Sequence, residues 1–216
     1  LGFAEDRIWW GAYSCDLPLF LRAHPEAVRK RSFLFVGRLV PEKGIDVLAR
    51  AYAQYRSTCE DPWELEIFGS GPLAEAVTGA EGVTSNGFAQ PSDLPLAYAS
   101  AGCFVMPSVF EPWGAVIHEA AAAGLPIICT TACGAAPHLV EDATNGYLVE
   151  PGNAHMLARA MRRISNLDAA ELGHMGAMSS LLAERYSPEL WAHAFIQRSA
   201  EALDNRRSGE SGQKHY

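Results

Sequence analysis

The sequence predicts an α/β fold, a three-layer sandwich with helices on both faces of a six-stranded parallel sheet. Three observations carry this. Six short runs of strand length occur, most of them strongly apolar, and most are followed by a polar or glycine-bearing loop and then by apolar residues at helical spacing. Such alternation is the pattern of a doubly wound parallel sheet, whose ligands bind beyond the carboxyl ends of the strands. The chain has 216 residues, 49% hydrophobic and 19% charged, enough to bury the core that a sheet of this kind needs.

Residues 1–31 form a lead-in segment rather than a strand-helix unit. It carries Trp9, Trp10, Tyr13 and the turn-like Ser14-Cys15-Asp16-Leu17-Pro18, which is too aromatic for a free linker and is expected to pack on the domain. The domain itself is assigned to residues 32–203. Phe33 to Val36 is the first strand, Gly37 to Gly44 a loop, and Ile45, Leu48, Ala49 and Tyr52 the buried stripe of a helix. Glu64 to Phe68 is the second strand, followed by Gly69-Ser70-Gly71-Pro72 and a helix expected from about Leu73. Val83 to Asn86 is the third, with Leu94, Ala97, Tyr98 and Ala101 as its helix stripe.

Cys103 to Met106 is the fourth strand. It ends in the corner Pro107 to Trp113, and from Gly114 the residues Ile117, Ala120, Ala121 and Gly124 recur at helical spacing. Pro126 to Thr130 with a helix around Pro137 to Val140, and then Gly146 to Val149, complete the sheet. Asn153 is a helix N-cap candidate ahead of the stripe Leu157, Ala160, Met161 and Ile164. Two further helices are expected over Asp168 to Tyr186 and Pro188 to Leu203, and the polar, Gly/Ser-rich residues 204–216 are expected to be a mobile tail.

The formal net charge of -8 leaves no basic field for a polyanion, so nucleic acid is not expected as a partner. No run of about 18 apolar residues is present to span a membrane. The five cysteines are odd in number, and Cys103 and Cys129 lie inside apolar strands, which points to buried thiols in a reducing, cytoplasmic compartment. Neither a Cys-x-x-Cys spacing nor an Asp-x-Asp motif is present, so no metal and no bound cofactor are expected. Leu1 is not a start methionine and no signal region follows it, so the chain reads as part of a longer protein.

The chemistry concentrates in three loops. Arg38 and Lys43 lie between Gly37 and Gly44, just before a helix, where a cation costs roughly 0.3 to 1 kcal/mol unless an anion sits between it and the helix. A diphosphate removes that conflict; ordinary surface placement is the other reading. At the corner after the fourth strand, the backbone N–H groups of Gly114, Ala115 and Val116 open a helix whose positive end suits a phosphate. Glu111 and Glu119 flank that anion site. Two acids there are best explained as acceptors for hydroxyls of a ligand that is half phosphate and half sugar, the alternative being two solvated acids.

Two other motifs weigh less. Gly69-Ser70-Gly71-Pro72-Leu73-Ala74 fits a loose dinucleotide fingerprint, but it opens the second unit instead of the first, and the next strand ends without an acid for a ribose. These glycines read as a tight turn near the cleft. Ser108 and His118 lack a nucleophile elbow, and His118 reads as a satisfied surface residue of its helix.

In this order, Gly37-Arg38…Lys43-Gly44, Gly69-Ser70-Gly71-Pro72, Phe110-Glu111-Pro112-Trp113-Gly114 and Glu119 resemble the C-terminal, donor-binding domain of family 4 retaining glycosyltransferases, over most of residues 14 to 200. The most specific part is the Glu-x7-Glu pair. The resemblance implies a Rossmann-like domain, the C-terminal half of a GT-B fold. It implies that Arg38 and Lys43 hold the diphosphate of a nucleotide-sugar donor, that Glu111 faces the sugar, and that Glu119 takes the ribose hydroxyls. It further places Gly37, Gly71, Phe88 and the backbone of Gly114, Ala115 and Val116 against the donor. Residues 13–20 resemble the segment joining the two domains of such enzymes, so the acceptor-binding N-terminal domain is expected to be missing, and with it any peripheral attachment to a membrane. The family's Gly-Gly-x-Pro-Glu after the fifth strand is here Gly134-Ala135-Ala136-Pro137-His138. A sugar phosphorylase, a nucleotide-sugar epimerase and a silent nucleotide-binding module are the alternative functions.

Overall fold

A computed structural model describes residues 13–21 and 28–211, with side chains as far as residue 203. Its six strands are β1 (Ser32–Val36), β2 (Glu64–Phe68), β3 (Val83–Ser85), β4 (Cys103–Met106), β5 (Ile127–Thr130) and β6 (Gly146–Val149). They form one sheet in the order β3-β2-β1-β4-β5-β6, and every neighbouring pair is parallel. The order reverses between β1 and β4, and in sheets of this kind ligands bind at that switch point, beyond the carboxyl ends of the strands.

Every residue of β1, β4 and β5 is buried, as expected of strands covered on both faces, whereas β2 and β3 toward the edge are partly exposed. The covering helices are α1 (Leu17–Phe20), α2 (Ile45–Ser57), α3 (Leu94–Ser100), α4 (Ala115–Ala122), α5 (Ala136–Leu139), α6 (Ala154–Ser165), α7 (Ala169–Glu184) and α8 (Pro188–Ser211). Two groups pack together, α2 with α6, and α4 with α1, α5 and α7. Phe33, Phe35, Tyr55, Tyr98, Phe104 and Met106 are among the largest fully buried side chains of the core. Fully burying one such side chain contributes roughly 1.5 to 3 kcal/mol, so the central strands anchor the fold.

Local chemistry sets the ends of the helices. Asn153 accepts the Met156 N–H at 3.0 Å, the cap its position predicts. Asp168 and Glu171 close a reciprocal capping box on α7. The lead-in packs on the domain where it is described, with Cys15, Leu17 and Phe20 buried, while Trp9 and Trp10 lie outside the described residues.

Two expectations are corrected. No α-helix starts at Leu73; a single 3-10 turn, Ala74–Ala76, stands there instead. Only a short stretch separates Gly71-Pro72 from β3, and Gly79 and Gly82, both at positive φ, end any helix within it. At the other end, α8 continues to Ser211, so residues 204–211 are helical and not a tail. Once a long helix is nucleated, extension by one residue costs little, and that outweighs a few unfavourable residues.

Candidate active site

The loops after β1, β2 and β4 are joined backbone to backbone at the carboxyl edge. The Gly37 N–H donates to Phe68 O at 2.9 Å, the Leu39 N–H to Ser70 O at 2.9 Å, and the Leu73 N–H to Leu39 O at 3.0 Å. A Cβ on Gly69 would lie 1.8 Å from Gly37 O, and one on Gly71 would lie 2.4 Å from Leu39 O. These glycines therefore do more than turn the chain: they let one loop lie against the next. On the other side, Val109 and Phe110 N–H both donate to Glu42 O, at 2.9 and 3.2 Å.

That junction brings Lys43 and Glu111 together as an ion pair, with side chains 16% and 10% exposed. Glu111 is thus no solvated neighbour of the helix. Arg38 stands exposed on the same loop as Lys43, without an ion-pair partner among the described residues. Phe88 is 70% exposed on the loop after β3, which the Gly69 N–H ties to the β2 loop through Gly87 O at 2.7 Å.

Helix α4 starts at Gly114, whose φ of 95° is open to glycine and which offers no side-chain cap. The first-turn N–H groups of Ala115 and Val116 therefore present the positive end of the helix toward the crevice. Glu119 lies one turn further on, only partly exposed. Burial raises its carboxyl pKa, and this is opposed by a hydrogen bond donated by the Tyr98 hydroxyl to Oε2 at 2.8 Å. Desolvation, followed by the adjacent Glu119 charge, holds the Tyr98 phenol well above its usual pKa, so it remains a donor.

His118 corrects its sequence reading: it is fully buried. Nδ1 accepts the Cys15 N–H at 3.1 Å and Nε2 faces Ala183 O at 3.0 Å, which fixes the neutral ring with its proton on Nε2. Burial lowers its pKa. Ser108 is buried as well, so these two residues do not form a nucleophile and base. Among the described residues no group of three or more His, Cys, Asp and Glu is placed to hold a metal.

The loop 134–138 acts on Glu111 through the backbone. Glu111 N–H donates to Ala132 O at 3.3 Å and the Gly134 N–H returns to Glu111 O at 3.0 Å. Trp113 lies 5.4 Å from the His138 ring, and His138 Nδ1 is 3.2 Å from the Tyr186 hydroxyl. In place of an acid, this loop supplies an aromatic brace. Tyr98 is the residue that pattern reading misses, since as part of the stripe Leu94, Ala97, Tyr98 and Ala101 it gives no sign of a polar task. A wide recess also opens at the amino ends of the strands, lined by Arg31, Trp63, Gly102, Pro126 and Gly176, but the residues above lie at the opposite edge.

A sequence model of the family described as glycosyl transferases group 1 matches residues 30–166. The chain belongs to the group 1 glycosyl transferases. It is 32% identical over 142 residues to an uncharacterized glycosyltransferase of Methanocaldococcus jannaschii, covering 62% of this chain and 36% of that protein. To the D-inositol 3-phosphate glycosyltransferase of Streptomyces griseus it is 32% identical over 190 residues, covering 81% of this chain and 40% of that protein. The crystal structure of Anabaena HepE in complex with UDP aligns at a TM-score of 0.70 and 25% identity, over 89% of this chain and 56% of that one. This group 1 domain thus has the Rossmann-like architecture of the C-terminal half of a GT-B glycosyltransferase, and it spans between about a third and three-fifths of the length of these relatives.

Proposed function

We propose that this domain binds a nucleotide-diphosphate sugar at its carboxyl edge. In the full-length protein it supports metal-independent transfer of the sugar, with retention of anomeric configuration, to an acceptor held by the part of the protein outside this chain. The observation behind the proposal is the Lys43–Glu111 ion pair, which joins the loop after β1, carrying Arg38, to the loop after β4, from which α4 starts without a side-chain cap. Arg38, Lys43 and the amides of Ala115 and Val116 stabilise the charge that grows on the departing diphosphate, work that needs no metal ion. Glu111 faces the sugar, where positive character develops, and Glu119 accepts the ribose hydroxyls. The complex of Anabaena HepE with UDP agrees with this reading, as does the glycosyltransferase name of the Streptomyces relative.

The test is calorimetry of UDP-, GDP- and ADP-sugars against the full-length protein and its Arg38→Ala/Lys43→Ala variant. One series should bind, and the variant should lose most of that affinity. Binding unaffected by the double substitution would refute the proposed phosphate site.

A further inference from the structure

Tyr98 is fully buried on α3, and its ring is held from two sides. Phe20 of the lead-in meets it edge-on at 5.4 Å and 88°, and Phe104 of β4 lies at 5.9 Å and 41°. The ring therefore cannot swing without disturbing the core. Its hydroxyl reaches α4 at two points, donating to Glu119 Oε2 at 2.8 Å and lying 3.5 Å from Val116 O. A free Glu side chain has three rotatable bonds and would sample many orientations at the rim of a crevice. Here one of its oxygens is anchored from beneath by a rigid donor.

We propose that Tyr98 is a positioning residue for the donor nucleotide: its hydroxyl fixes the Glu119 carboxylate so that the remaining acceptor capacity faces the ribose diol. This rests on the reading that Glu119 takes the ribose hydroxyls. A carboxylate offers about four lone-pair sites over its two oxygens, so one bond to Tyr98 leaves room for two hydroxyls. The anchor has a further effect. Desolvation favours the neutral form of Glu119, and the phenol donating to it favours the ionised form, the better acceptor for both hydroxyls. Tyr98 itself does not touch the ligand; it acts through Glu119 alone.

The experiment measures nucleotide selectivity in the full-length protein. Calorimetry compares UDP, GDP and ADP, and the tightest is then paired with its 2′,3′-dideoxy form. The wild type should prefer the ribose form. Tyr98→Phe keeps the ring and removes only the hydroxyl, so it should weaken the ribose form about five- to tenfold and leave the dideoxy form unchanged. In a Glu119→Gln background the same substitution should have little further effect on that selectivity. A merely structural role would lower both affinities equally, and that result, or no change in either, overturns the proposal. A wild type that binds nucleotide without regard to the ribose hydroxyls refutes the assignment of Glu119, and the role of Tyr98 falls with it. A protein that binds none of the three nucleotides refutes both. Should Tyr98→Phe fail to fold, a structure of the wild type with nucleotide bound decides: the Tyr98–Glu119 bond must persist while ribose hydroxyls reach the carboxylate, and a carboxylate rotated away from Tyr98 overturns the proposal.

Discussion

Lys43, from the loop after β1, and Glu111, from the loop after β4, neutralise each other across the crevice at the switch point of the sheet. On the proposed reading of the site, a diphosphate arriving there shares or displaces the Lys43 ammonium. The Glu111 carboxylate would then lose part of its counter-charge as a sugar comes to lie beside it, and the pair would couple the phosphate end of the site to its sugar end.

Removing one partner leaves a charge with little water around it, whereas removing both does not. Lys43→Met should therefore destabilise the unliganded protein by about 1 to 3 kcal/mol, and Lys43→Met/Glu111→Gln by less than the sum of the two single changes. Urea unfolding of the three variants checks this, and strict additivity would refute it.

Glu119 should show opposite effects on binding and stability. Glu119→Ala should weaken nucleotide binding about ten- to a hundredfold, read by calorimetry. Its raised pKa means that, above the ordinary carboxyl value, the native state holds more protons than the unfolded state, so its contribution to stability falls as pH rises through that window. Glu119→Gln should accordingly unfold at a higher temperature than the wild type at neutral pH. Equal melting temperatures and unchanged affinity would leave no role for the buried carboxylate.

His118 gives the reverse sign. With its pKa held below 6.5, the native state binds fewer protons than the unfolded one as pH falls past that value, so stability drops on acidification. His118→Gln should flatten that slope between about pH 7 and 5, at some overall cost in stability. Denaturant midpoints across that range, for both proteins, are the measurement; parallel slopes would contradict the assignment of the neutral ring.

Metal independence is tested directly. Saturating EDTA should leave donor binding, and transfer by the full-length protein, unchanged. Activity lost to the chelator and restored by magnesium or manganese would contradict the role given to Arg38 and Lys43.

The 216 residues alone should bind nucleotide and fail to transfer sugar. Holding donor and acceptor together in near-attack geometry can lower a barrier by roughly 7 to 11 kcal/mol, and the proposed function leaves the acceptor to the part of the protein outside this chain. A titration and a transfer assay on one preparation separate the two claims. Robust transfer by the isolated chain would contradict the division of labour.

Much of the sheet was legible because its central strands are apolar almost from end to end and most of the strand runs are closed by glycine, proline or polar turn residues. Cys103–Met106, Glu64–Phe68 and Gly146–Val149 stand at their expected bounds, and Asn153 caps the helix it was expected to cap. The corner at Gly114 was legible because Pro107 and Pro112 bar strand or helix through the run ahead of it, and a glycine supplies the positive φ from which the small-residue helix opens. What escaped depends on long-range contact. Nothing near His118 in sequence announces that its partners are Cys15 and Ala183, and a tyrosine in an apolar stripe looks the same whether or not its hydroxyl reaches an acid. The short turn at Ala74–Ala76 escaped for another reason: one apolar turn carries too little periodicity to separate a helix from a 3-10 bend.

The interlocked loops after β1 and β2 also bear on how this protein can change over generations. With Gly69 and Gly71 pressed against the carbonyls of Gly37 and Leu39, any side chain there, or a residue added to either loop, must push the neighbouring backbone aside. Gly79, Gly87 and Gly152 have open space where a side chain would go. An insertion and substitution scan should find added residues tolerated beside Gly79 and Gly152 and refused over 37–44 and 69–71, with no side chain accepted at 69 or 71. Relatives that exchange one sugar for another would then have to do so by changing side chains that project from this frame, because the frame itself has no slack.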